Sequence, residues 1–214
     1  MSFDKNKIDY TLYLCTDRGL MSCETIEQSV ERGIMGGCSV VQLREKDCSS
    51  REFLELALRV KKITRKYNVP LIINDRLDIA LLTGADGVHL GQSDLPCKEV
   101  RKLAGDDFII GVSAAAVDEA VKAQADGADY LGVGAMYQTA TKTNTRPVTI
   151  EKLKEIISSV NIPIVAIGGI NLKTIPDFQG VNLNGFAVVS AVVASQDIEL
   201  AAKNLRLAAE NVLG

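Results

Sequence analysis

Eight short apolar runs, rich in β-branched residues, recur along the chain with a longer amphipathic stretch between each pair. The runs are Tyr10–Cys15, Ser39–Leu43, Leu71–Asn74, Gly87–Leu90, Ile109–Val112, Tyr130–Gly134, Ile164–Ile167 and Gly185–Val189. Most are apolar almost throughout, the pattern of parallel strands covered on both faces. The intervening stretches carry helical periodicity. Within 50–67, Phe53, Leu54, Ala57, Leu58, Val60 and Ile63 form one stripe, and Ser49 with Glu52 has the spacing of a capping box. Further helices are read at 24–35, 76–83, 96–104, 116–126, 149–159, 171–178 and 196–212. Thr149 and Asn171 suit N-caps, and Gly36, Gly84, Gly105 and Gly127 suit helix stops.

Eight such units in 214 residues predict an α/β fold, a single-domain (β/α)8 TIM barrel over 1–214. The segment Gly84-Ala-Asp-Gly-Val-His-Leu-Gly91 is echoed by Gly127-Ala-Asp-Tyr-Leu-Gly-Val-Gly134, as repeated units require. A doubly wound dinucleotide-binding sheet is disfavoured, because no G-x-G-x-x-G follows the first run. No linker-like segment divides the chain. Gln138–Pro147 is polar, lacks an apolar period and reads as a mobile loop.

Composition removes several function classes. The net charge is −3 and aromatics make up 5% with no Trp, so neither general attraction to nucleic acid nor a base-stacking platform is expected. The five cysteines include no C-x-x-C pair, and the single His89 cannot complete a Cys/His zinc cluster. Reduced thiols in a cytoplasmic protein are expected. No apolar secretory h-region follows the first residues. Residues 178–196 are uncharged, but their amides, hydroxyls and glycines fit a buried strand and loop better than a membrane span.

In a barrel the chemistry gathers where strands end. Gln42, Arg44 and Lys46 alternate through and past the end of the second run, which would put two cations and an amide on one face as an anion site. A solvated strand end bridged by Glu45 is the alternative. Asp75 and Asp94 follow neighbouring runs. They suit Mg²⁺ shared with substrate oxygens, a general acid/base pair, or helix N-caps. Ser113 ends the fifth run with no histidine beside it in sequence, so it reads as a ligand donor or a cap rather than a nucleophile. Thr139, Thr141 and Lys142 would suit a phosphate or diphosphate, or simply form a polar loop. Gly168-Gly169 and Ser190 follow the last two runs, the usual phosphate site of this fold. His89 reads first as a satisfied structural residue. Two phosphorylated small molecules, with no nucleic acid or membrane partner, account for these sites together. A homo-oligomer is left open.

The ordered segments Gln42-Leu-Arg-Glu-Lys46, Ile73-Asn-Asp-Arg76, Gly87-Val-His-Leu-Gly-Gln-Ser-Asp94, Gly111-Val-Ser113, Gly127–Gly134, Thr139-Ala-Thr-Lys142, Ala166-Ile-Gly-Gly-Ile170 and Val189-Ser190 resemble the thiamine phosphate synthase (thiamine-phosphate diphosphorylase) family. The resemblance implies a barrel transferase that joins hydroxymethylpyrimidine diphosphate to a thiazole phosphate. It implies that Gln42, Arg44, Lys46, Asn74, Ser113 and Lys142 bind the pyrimidine diphosphate. Arg44, Lys46, Lys142 and Ser113 would be catalytic, with cations stabilising the leaving diphosphate. Asp75 and Asp94 would hold Mg²⁺, and Thr139, Thr141, Gly169, Val189 and Ser190 the thiazole phosphate. The chain departs from the family at Gln138, often Pro, and at Ala114, Ala115 and Ala116, where many members carry His or another polar residue after the Ser. Thr143–Pro147 is also unusual. Rival functions are a thiazole-phosphate-binding relative that transfers nothing, a sugar-phosphate isomerase or epimerase, and a non-catalytic ligand sensor.

Overall fold

The computed structural model describes residues 4–138 and 146–214. Its eight strands are β1 (Leu12–Cys15), β2 (Val40–Leu43), β3 (Leu71–Asn74), β4 (Gly87–Leu90), β5 (Ile109–Ala114), β6 (Tyr130–Val133), β7 (Ile164–Ile167) and β8 (Gly185–Val188). They pair in chain order, all parallel, and β8 closes on β1. The helices are α1 (Ile26–Met35), α2 (Ser50–Lys66), α3 (Leu77–Thr83), α4 (Cys97–Ala104), α5 (Val117–Ala125), α6 (Ile150–Ser159), α7 (Ser190–Val193) and α8 (Ile198–Leu213). This is the (β/α)8 barrel expected from the alternation.

Strand alternation sorts the core into two compartments. Outward residues such as Leu12, Leu14, Val41, Leu43 and Ile73 pack against the helices. Inward residues, among them Tyr13, Val40, Ile72, Ile109, Tyr130 and Val165, form a separate cluster inside the barrel. Local signals hold the helices. The Ser49–Glu52 capping box forms on α2, and Thr149 caps α6 through the Lys152 N–H. Gly84, Gly105 and Gly127 end their helices at positive φ, whereas Gly36 caps α1 in the right-handed region.

The repeat seen in sequence has a structural purpose. Asp86 Oδ2 accepts the Leu71 N–H and pairs with Lys61 at 2.5 Å, and Asp129 Oδ2 accepts the Ile110 N–H and pairs with Arg101 at 2.5 Å. Each aspartate thus satisfies an amide at the start of the adjacent strand that the ladder leaves unpaired. Asn184 Oδ1 does the same for the Ile164 N–H.

Two expectations need correction. The helix read at 171–178 is a turn followed by a short 3₁₀ segment, Ile175–Phe178, with Pro176 in its first turn. Asn171 does not cap an α-helix. Its Oδ1 accepts the Lys173 N–H and its Nδ2 donates to Gly169 O, a local turn that competes with helix. Second, Ser190 opens a short helix, α7, directly after β8, where the sequence reading places no helix before residue 196. Other strand limits differ from the sequence reading by one or two residues. β1 starts at Leu12, because Asp9 turns the chain by accepting the Thr11 N–H. Among the described residues no helix is long and apolar enough to cross a membrane.

All five cysteines are unpaired. Burial pushes the Cys15 and Cys38 thiols up to about 12 and the Cys97 thiol up to about 11. Thiolate is the reactive form, so these three should be inert in the native protein. A thiol-reagent titration at pH 8 should count at most two reactive groups, Cys23 and Cys48, and five after unfolding. Rapid modification of a third would contradict the burial.

Candidate active site

A cavity of about 650 Å³ opens at the C-terminal ends of the strands. The carboxyl ends of parallel strands point one way, so ring closure brings residues remote in sequence to one mouth. Of the residues singled out in sequence, Gln42, Arg44, Lys46, Asn74, Asp75, Asp94, Ser113, Gly169, Val189 and Ser190 all line it. Thr139, Thr141 and Lys142 lie outside the described residues, as does most of the Gln138–Pro147 stretch.

The cationic residues are reached differently from the expected shared strand face. β2 ends at Leu43, and Arg44 leaves the sheet where its N–H bonds Thr16 Oγ1 at 3.0 Å. Its guanidinium pairs with Asp17 at 3.1 Å. Glu45 bridges neither neighbour. Its side chain is 3% exposed and pairs with Arg18 at 3.0 Å. Two ion pairs, Asp17–Arg44 and Arg18–Glu45, therefore cross between the loops after β1 and β2. Lys46 turns toward β3 and meets Asp75 at 2.5 Å.

Asp75 sits at φ +63, a conformation that an Asp side chain tolerates at some cost. Its N–H bonds His89 O at 2.8 Å, which holds that backbone. Asp94 is aimed by its own turn, with Oδ2 accepting the Gly91 N–H at 2.6 Å. The two carboxyls meet. Burial raises Asp94, and the adjoining Asp75 raises it further. Burial would also raise Asp75, but hydrogen bonds from Lys46 and with Asp94, and the Lys46 charge, outweigh it and hold Asp75 low. Two hard oxygen donors forced together beside a single ammonium form a site that a small divalent cation would relieve. Among the described residues no group of three or more His, Cys, Asp and Glu forms a metal cage.

On the opposite side, Gly168 and Gly169 take φ +97 and +68. A Cβ at Gly168 would lie 2.7 Å from Ala135 Cα, and one at Gly169 2.6 Å from Tyr137 Cβ. The pair therefore lets the loop after β7 seat directly on the loop after β6. Tyr137 is pinned there by a 2.6 Å bond to Asp177. Sequence reading missed Gln92, Glu119 and Arg146, which also line the cavity. Gln92 Nε2 donates to Ser113 O at 2.6 Å, and Glu119 accepts both the Ala115 N–H and Arg146. Gln92 lies within the Gly87–Asp94 segment but is given no role there, and nothing in the local sequence marks Glu119 or Arg146, which reach the mouth from a helix start and a loop. His89 also lines the cavity rather than serving packing alone, with Nε2 3.0 Å from Ser113 Oγ.

A sequence profile described as thiamine monophosphate synthase matches residues 12–192. The chain belongs to that family. A "Thiamine-phosphate synthase" of Clostridium botulinum (strain Eklund 17B / Type B) is 59% identical over 202 residues, 94% of this chain and 95% of that protein. Among solved structures, "Thiamine phosphate pyrophosphorylase from Pyrococcus furiosus" superposes with a TM-score of 0.89 at 37% identity, covering 97% of this chain and 98% of that one. An N-acetylmannosamine-6-phosphate 2-epimerase from Clostridium perfringens superposes at 0.66 with 15% identity, over 92% of this chain and 93% of that one. That likeness shows the barrel alone.

The glycine geometry makes a paired prediction. Gly168→Ala combines backbone strain with a backbone clash, whereas Gly105→Ala, at φ +80 with nothing within 4 Å of the added Cβ, carries strain alone. Strain at such positions costs about 1–3 kcal/mol. In urea unfolding Gly168→Ala should lose clearly more stability than Gly105→Ala. Equal losses would show that the two loops do not depend on the close approach.

Proposed function

We propose that the protein joins 4-amino-5-hydroxymethyl-2-methylpyrimidine diphosphate to a (carboxy)thiazole phosphate, giving thiamine monophosphate and diphosphate, with CO2 released as well where the thiazole carries the carboxylate. Family membership makes it a transferase of thiamine phosphate synthesis. The observation that carries the finer reading is the convergence of Gln42, Arg44, Lys46, Asn74, Asp75, Asp94 and Ser113 on one cavity at the strand ends. Five unpaired thiols support a cytoplasmic setting.

Arg44 and Lys46 would bind the diphosphate, and Asn74, Gln42 and Ser113 the pyrimidine. Asp75 and Asp94 would hold Mg²⁺, as their paired hard oxygens suit. When bound, the ion supplies positive charge to the departing diphosphate. The methylene C–O bond breaks and its electron pair leaves with the diphosphate. Arg44 and Lys46, with Lys142 by family likeness, stabilise that charge. The thiazole nitrogen lone pair then forms the C–N bond, and the positive charge comes to rest on the thiazolium ring. No proton is abstracted, so no tuned general base is required. Gly169, Val189 and Ser190, with Thr139 and Thr141, would hold the thiazole phosphate and so orient the nitrogen. An isomerase or epimerase would instead need a base poised over a carbon acid.

Purified protein mixed with both substrates and Mg²⁺ should release thiamine monophosphate, and EDTA should stop it. No product, with thiazole phosphate still bound, would move the reading to a non-transferring relative. Asp75→Asn and Asp94→Asn should each cut turnover about tenfold or more at limiting Mg²⁺, since each removes a charged ligand. Wild-type rates in both would remove the metal assignment. Ser190→Asp should raise the KM for thiazole phosphate about tenfold through like-charge repulsion. An unchanged KM would move the phosphate elsewhere.

A further inference from the structure

Five side chains form one hydrogen-bonded series across the barrel interior. Gln42 Nε2 donates to Tyr13 Oη at 2.9 Å. Tyr13 Oη lies 2.7 Å from Tyr130 Oη, which lies 3.0 Å from His89 Nδ1. His89 Nε2 lies 3.0 Å from Ser113 Oγ. The series runs from β2 through β1, β6 and β4 to β5. Its two ends, Gln42 and Ser113, line the cavity, whereas Tyr13 and Tyr130 are each only 1% exposed. Burial keeps both phenols protonated, far above their ordinary range.

The sheet leaves room for this series. A Cβ at Gly111 would fall 2.3 Å from Tyr130 Oη and 2.5 Å from His89 Nδ1. One at Gly132 would fall 3.0 Å from His89 Cε1. Neither glycine has positive φ, so space rather than backbone conformation accounts for them.

With Gln42 Nε2 as the donor to Tyr13 and His89 as a neutral imidazole, counting hydrogens gives the series a direction. A phenol has one hydrogen, and a neutral imidazole has one N–H and one acceptor nitrogen. Tyr13 receives a hydrogen bond from Gln42, so its own hydrogen goes to Tyr130. The Tyr130 hydrogen then goes to His89 Nδ1. An imidazole accepting at Nδ1 carries its hydrogen on Nε2 and gives it to Ser113 Oγ. The Ser113 hydrogen is thereby left to donate into the cavity. Gln42, with Nε2 committed to Tyr13, offers Oε1 as an acceptor.

We propose that Tyr13, Tyr130 and His89 are positioning residues that fix Ser113 as a donor and Gln42 as an acceptor toward the pyrimidine ring. This rests on the function proposed above and deepens it to substrate discrimination. A 4-aminopyrimidine offers a ring nitrogen that accepts and an exocyclic amine that donates, the complement of that pair. The 4-oxo counterpart offers a ring N–H and a carbonyl, the reverse pattern. A pocket of fixed polarity rejects the reverse pattern because its buried groups would be left unpaired.

The protein has one histidine, so ¹⁵N-histidine labelling reports His89 alone. The wild type should show the Nε2–H tautomer, and Tyr130→Phe should abolish the fixed tautomer. The preference, as a ratio of kcat/KM, for aminopyrimidine diphosphate over its oxo counterpart should shrink about tenfold in Tyr130→Phe. The KM for thiazole phosphate should not change. Tyr13→Phe, which cuts the link to Gln42, should also reduce the preference, and it serves if Tyr130→Phe does not fold. An Nδ1–H tautomer in the wild type would overturn the polarity. An undiminished preference in a folded variant would overturn the positioning role. Wild-type turnover with the two standard substrates is measured first. Its absence would strike the functional reading, while the tautomer still decides the direction of the series.

Discussion

A parallel sheet that closes on itself has no edge, but it commits every second strand residue to an interior only a few side chains wide. Each inward residue must then either fill that space or find a polar partner within it. Val40, Ile72, Ile109 and Val165 meet the requirement as apolar fillers. Gln42, Tyr13, Tyr130, His89 and Ser113 meet it by bonding to one another. Closure also aligns all eight carboxyl ends, which makes the mouth of the cavity a meeting place for eight loops. The interior polar series and the charged mouth are two consequences of the same geometry.

At the mouth, charge is braced before any ligand arrives. Asp17 holds Arg44, Arg18 holds Glu45, and Lys46 holds Asp75. Partly exposed ion pairs of this kind add little to stability. Their effect is orientation, since long cationic side chains otherwise sample many rotamers. The raised Asp94 carboxyl and the positive φ of Asp75 show the opposite arrangement, with groups kept in positions unfavourable to themselves. On the function proposed above, a bound cation and a diphosphate would relieve the carboxylate crowding and pair with Arg44 and Lys46. The ion pairs thus hold the charged side chains at the mouth in fixed directions.

Much of this was legible in the sequence. Strand runs, capping boxes and helix stops are local, and propensity and periodicity carry them. Ser49–Glu52 and Thr149 fall where the pattern puts them. Residues at strand ends were legible too, because strand polarity alone sends them to one face. The reading failed where local and tertiary preferences compete. Asn171 has cap chemistry, but its side chain closes a turn instead, and Pro176 keeps the segment short. The helix that Ser190 opens is too short, at four residues, to show a helical period in the sequence. Gln92, Glu119 and Arg146 reach the cavity from outside any strand, so no spacing rule identifies them.

Local periodicity dictates the alternation of strand and helix, and hence the barrel. It also determined which polar residues would stand at the strand ends, because period and chain polarity are properties of neighbouring residues. Closure of the ring settles how those residues divide their partners. It separated Glu45 from Arg44 and Lys46, set Asp75 against Asp94, and joined Gln42 to Ser113 through two tyrosines and a histidine. Such pairings are set by distances across a closed ring. Those distances exist only after residues more than a hundred positions apart, such as Tyr13 and Tyr130, have been brought within 2.7 Å.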